Sequence, residues 1–67
     1  MDLAKSLRVA MALKGMKNKD LAGALKVSAP AVSIWLKKGN MAQDNLEKIC
    51  GVLDMPVSKF VELGEGD

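Results

Sequence analysis

The side chains in this chain that can do chemistry are nearly all of one kind. Lysine and arginine together number ten against eight carboxylates, histidine and tyrosine are absent, and Cys50 is the only cysteine. Without an imidazole the usual general base is missing. One thiol can build neither a structural zinc site nor an internal disulfide, and it suits a reducing compartment. Ammonium groups remain, with a few Ser and Asn side chains among them. Such groups hold anions rather than make or break bonds, so a binding protein is expected, with no enzymatic activity, no cofactor, no metal and no small-molecule ligand.

The cations are not spread evenly. Residues 1–40 hold Lys5, Arg8, Lys14, Lys17, Lys19, Lys26, Lys37 and Lys38 against Asp2 and Asp20, a balance of +6. Residues 41–67 hold Lys48 and Lys59 against Asp44, Glu47, Asp54, Glu62, Glu65 and Asp67, a balance of −4. A basic half joined to an acidic half fits a protein that meets a polyanion with one face only. Basic runs are also common as plain solvated helix faces, so charge alone does not decide the partner.

Those cations need elements to position them, and the chain has room for one domain. Its 67 residues are 49% hydrophobic and 27% charged, close to an ordinary globular composition, so a folded chain is expected rather than a disordered one. Trp35 and Phe60 are the only aromatics, which leaves the core to Leu, Val, Ile, Met and Ala. No apolar run approaches the roughly 18 residues that cross a membrane. VAMAL near the start is too short and too interrupted by charge for a secretory segment, so a cytoplasmic protein is expected.

Leu3, Leu7, Ala10 and Met11 recur at helical spacing, and Gly15 sits where a left-handed cap belongs, giving a first helix over about 2–14. A second begins near Asn18, read as its N-cap, and sets Leu21, Ala22 and Leu25 on one side. Ser28 caps a third and Pro30 suits its first turn. Along that helix, from about Ala29 to Lys38, Val32, Trp35 and Leu36 share one side while Pro30, Ser33, Ile34 and Lys37 share the other. Gly39 permits the stop. A fourth helix over roughly 42–53 carries Leu46, Ile49, Cys50 and Leu53, and Asp54 with Pro56 opens a last one presenting Phe60 beside Val57 or Val61. No stretch alternates long enough for a strand. The expected architecture is all-α, five short helices in one domain over 1–63 with a short flexible tail at 64–67.

Residues 18–38, NKDLAGALKVSAPAVSIWLKK, place two of these helices across an abrupt break. Leu21, Leu25, Val27, Val32 and Trp35 supply apolar contacts and Ala22 a small residue at the close approach. That is the pattern of a helix-turn-helix, whose second helix enters the DNA major groove. The chain here resembles the lambda-repressor-like domains of Cro and phage-repressor type. LKGMKNKDLAGALKVS resembles their passage from helix one to helix two, AVSIWLKKG their recognition helix, and NLEKICGVLDMPVSKFVEL their last two helices.

The resemblance implies roles. The residue opening the second helix commonly bonds a phosphate in this family; the matching position is Asn18, with Lys17 and Lys19 beside it. Ser28, Lys38 and Asn40 join them as expected phosphate contacts. Several also have a reading without DNA: Asn18 and Ser28 as helix caps, and Lys38 and Asn40, with Lys37 beside them, as a C-terminal complement to the helix dipole. The expected base-facing positions are Ala29, Pro30, Ser33, Ile34 and Lys37. Two departures stand out. The family usually has Gly at the turn occupied by Lys26, and the base-reading side lacks the Gln, Asn or Arg that make paired hydrogen bonds worth roughly 1–3 kcal/mol per base. Contact with thymine methyl groups by Ala29, Pro30 and Ile34 is expected instead, with DNA shape carrying more of the specificity.

By the same resemblance the protein is expected to be a sequence-specific regulator, of phage or prophage type, that represses by occupying a near-palindromic double-stranded operator, either as a weak homodimer or as a dimer formed only on DNA. The dimer surface is expected at Met55, Val57, Phe60, Val61 and Leu63. Trp35 and Cys50 are expected to pack inward as core residues. The competing expectation, from another class, is an antitoxin-like or anti-regulator module that uses Ile34 and Pro30 to hold a protein.

Overall fold

A computed structural model describes residues 2–65 of the chain. Five helices follow one another: α1 Leu3–Lys14, α2 Asn18–Leu25, α3 Ala29–Lys38, α4 Gln43–Leu53 and α5 Val57–Glu65, with no strand among the described residues. The all-helical expectation holds. α5 lies along α1, α3 crosses both α1 and α2, and α4 closes the bundle against α2 and α5. No helix is long and apolar enough to cross a membrane.

Local chemistry explains most of the helix ends. Asp2 caps α1 by accepting from the Lys5 backbone N–H at 3.0 Å, and Ser28 caps α3 by accepting from Ala31 N–H at 3.3 Å. Gly15 and Gly39 close α1 and α3 in the left-handed conformation, both at φ 66°. Lys26 closes α2 at φ 60° and Asp54 closes α4 at φ 56°, so two side-chain-bearing residues sit where glycine is cheapest.

Three boundaries differ from the sequence reading. The N-cap of α2 is Lys17, not Asn18: the Asp20 carboxylate accepts from Lys17 N–H at 3.0 Å, and Asn18 is already helical. A carboxylate three residues on serves the helix start as well as an Asn at the cap, and it also complements the dipole. Asp54 ends α4 rather than opening α5, because its backbone N–H turns back onto the carbonyls of Cys50 and Gly51. The expected tail begins too early as well: α5 continues through Gly64 and Glu65, while residues 66–67 lie outside the described residues. Glycine at position 64 lets α5 lie close against α1. A Cβ there would collide with the Asp2 carbonyl oxygen and the Ser6 hydroxyl of α1. That close approach also lets the Ser6 hydroxyl donate to the Val61 carbonyl at 3.4 Å.

The core is contributed by every helix: Leu7, Ala10 and Met11 from α1, Leu21 and Ala22 from α2, Val32 and Trp35 from α3, Ile49, Cys50 and Leu53 from α4, and Phe60 from α5. Trp35 and Cys50 therefore pack inward as their helical positions predict. Phe60, expected at the surface between copies, is 0% exposed, the largest fully buried side chain among the described residues. A chain with two aromatics has few ways to fill the space among five helices, and burying a Phe stabilises by roughly 1.5–3 kcal/mol.

Candidate nucleic-acid interface

α2 and α3 stand as the sequence predicts, joined through Lys26, Val27 and Ser28. The turn closes with the Lys26 and Val27 backbone N–H groups on the carbonyls of Gly23 and Ala22, at 3.3 and 3.0 Å. Leu25 and Val27 pack against the buried core. With Val32 at 0% and Trp35 at 7% exposure, the inward side of α3 is committed to the core, and its opposite side must face outward.

That outward side is where the candidate residues sit. Ala29, Pro30, Lys37 and Lys38 are exposed, and Ile34 is 50% exposed, high for a large aliphatic side chain beside a well-filled core. Ser28 and Asn40, at the two ends of α3, are exposed too. Lys17, Asn18 and Lys19 are exposed at the start of α2. Ser33 departs from this pattern. It is half-buried, and its hydroxyl accepts from Asn18 Nδ2 in a long 3.4 Å bond. One expected base contact and one expected phosphate contact thus touch each other and tie the start of α2 to the middle of α3.

The face is apolar along its centre and cationic at its margins. Ammonium groups lie at the α2 start and at the α3 end, and the one carboxylate among them, Asp20, is engaged with Lys17 N–H. A helix start with exposed N–H groups adds a partial positive charge at Ser28 and Ala29. No group of three or more His, Cys, Asp or Glu side chains able to hold a metal occurs among the described residues. Cys50 is buried in α4, and that burial raises its thiol pKa, which favours the neutral thiol over the thiolate.

Sequence reasoning missed Arg8. Its Nη1 donates to the Leu36 carbonyl at 2.7 Å, across 28 residues of sequence, at the end of α3. Arg8 and Asn18 also line one shallow cleft of about 250 Å³ with Met11, Ala12, Met16 and Leu36. The available signal was slight: Arg8 is the single arginine in a chain that otherwise uses lysine. A further cleft, of about 380 Å³, lies between α2 and α4 and contains none of the expected DNA contacts; Ala24, Leu25, Lys26, Lys48, Gly51 and Val52 line it.

The expected dimer surface is thinner than its sequence suggested. With Phe60 in the core, Val57 is the one clearly exposed member, at 38%. Met55, Val61 and Leu63 are half-buried, and Met55 and Leu63 pack against the core of their own chain.

The family model of the Cro/C1-type HTH DNA-binding domain matches residues 6–63, nearly the whole chain and all of α2 to α4. No curated protein sequence matches significantly. The chain belongs to the Cro/C1-type helix-turn-helix DNA-binding domains.

Proposed function

We propose that this Cro/C1-type domain is a sequence-selective transcriptional regulator of phage or prophage type, working in the cytoplasm, that represses by occupying a double-stranded operator. The observation that carries this reading is the outer face of α3, where Ile34 stands half exposed between Ala29 and Pro30 at one end and Lys37 and Lys38 at the other. In the major groove Ala29, Pro30 and Ile34 meet thymine methyl groups. Lys37 reaches a base edge or the backbone, and Ser33 acts together with Asn18. Lys17, Asn18, Lys19, Ser28, Lys38 and Asn40 hold phosphates on either side. Phosphate contacts set the register, and the few apolar contacts with the DNA shape they select supply preference.

Two copies on a near-palindromic site would place their recognition helices roughly 34 Å apart, one turn of the duplex. Val57 and the half-buried Val61 offer only a small apolar patch for pairing, which supports a weak dimer completed on DNA. The test is selection of bound duplexes from a random pool at two salt concentrations. An enriched near-palindrome is the expected result. Salt-sensitive retention without enrichment would reject the operator. No retention at low salt would favour a protein partner for Ile34 and Pro30.

A further inference from the structure

We propose that Arg8 is a positioning residue for α3, a latch on the far end of the recognition helix. The inference rests on the operator reading above and adds a residue outside the helix-turn-helix. The last carbonyls of a helix lack intrahelical donors, and their partial negative charge favours a cation. In α3 the Gly39 N–H satisfies the Trp35 carbonyl at 2.8 Å, and the Arg8 guanidinium satisfies the next one, Leu36, at 2.7 Å. One turn earlier on α1, Ala4 meets the same end of α3: a Cβ at Gly39 would lie 2.7 Å from the Ala4 backbone nitrogen. Ala4 and Arg8 are four residues apart and so share one face of α1. That face grips the end of α3 twice, once by backbone contact and once by a charged hydrogen bond.

The Asn18–Ser33 bond holds α3 to α2 at mid-length. Ile34 projects from the stretch between these two attachments and Lys37 follows directly after the second, so the angle at which they meet a base pair depends on both. A lysine is a poorer latch, because its ammonium is a compact, strongly hydrated point charge on a flexible stem, whereas guanidinium presents a rigid planar fork.

The test uses the full chain and the variants Arg8→Met and Arg8→Lys. Amide hydrogen exchange is measured on the free proteins. Affinity is measured against the duplex enriched by the unmodified chain and against its scrambled counterpart over a salt series. In Arg8→Met, exchange is expected to quicken for the amides of Leu36 to Gly39 while those of Ile49 and Cys50 keep their protection, showing an intact core. Affinity for the enriched duplex is expected to fall about 2- to 5-fold, the scale of an exposed charged hydrogen bond, with the scrambled duplex and the salt slope little changed. Arg8→Lys recovers part of both effects. Unchanged exchange in Arg8→Met overturns the latch. Equal losses on both duplexes with a flatter salt slope also overturn it, and make Arg8 a phosphate contact instead. If the unmodified chain enriches no duplex, the operator reading fails and takes the functional half of the proposal with it, a result separable from the exchange outcome.

Discussion

Lys26 holds a left-handed conformation at the turn of the helix-turn-helix, φ 60°, and replacing it gives a direct measure of what that costs. An L-residue with a Cβ loses roughly 1–2 kcal/mol in this region, and glycine avoids the loss. Against that, glycine gives back about 0.4–1 kcal/mol through the greater freedom of its unfolded chain. Lys26→Gly alone is not a clean comparison, because it also removes a cation from the end of α2, where a positive charge is worth about 0.3–1 kcal/mol. Lys26→Ala removes the same charge and keeps the strain. The difference between the two variants therefore isolates the backbone, and glycine is expected to be the more stable by about 0.5–1 kcal/mol. In a domain of this size that is a difference in Tm of about 2–8 °C. The assay is thermal and urea unfolding of both variants beside the unmodified chain, followed by circular dichroism. Equal stability of Lys26→Gly and Lys26→Ala would refute the reasoning.

Glycines elsewhere separate open space from close contact. A Cβ on Gly23 in α2 would meet no neighbouring part of the fold within 4 Å, so Gly23→Ala should gain about 0.5–1 kcal/mol in urea unfolding. Gly64→Ala should instead destabilise, because its methyl meets the Asp2 carbonyl and the Ser6 hydroxyl, and protection of α5 amides from exchange should fall with it. On DNA, Lys37→Ala with Lys38→Ala should flatten the log–log salt slope by about 0.9 for each phosphate no longer neutralised and weaken all duplexes alike. Ile34→Ala should keep that slope and lose preference at one or two base pairs in the selected sequences; an unaltered preference would sink the methyl-contact idea. Cys50 brings a pH dependence. Burial raises its folded pKa, so its contribution to stability is fully present below the pKa of a free thiol and is lost as pH rises through the higher folded value. Alkaline unfolding of Cys50→Ala should lack that step.

Much of this molecule was legible in its residues, and the reasons differ by feature. The third helix announced itself through Ser28, Pro30 and Gly39, each acting within one helical turn. Trp35 and Cys50 fell inward by periodicity alone, as did Ile34 outward. The start of the second helix was misread because two local devices compete there: an Asn suited to capping, and an aspartate three residues on that captures Lys17 instead. Asp54 was misread for a similar reason. A residue that caps helix starts well also tolerates the left-handed turn that ends one.

Sequence by itself determined the helical period, the order of five helices, the helix-turn-helix spacing and the basic first half, because these arise from interactions within about four residues or from simple composition. Only the tertiary structure decided what each apolar face meets. Periodicity showed that Phe60 belonged to an apolar stripe, and the same stripe fits a core or an interface between copies; packing against the other helices put it in the core. Gly64 looked like the start of a tail until α1 lay against it. The bond from Arg8 to the Leu36 carbonyl joins residues 28 apart. Such contacts follow from the angles at which whole helices cross, and those angles are set by the sum of many packing contacts rather than by any one stretch of chain.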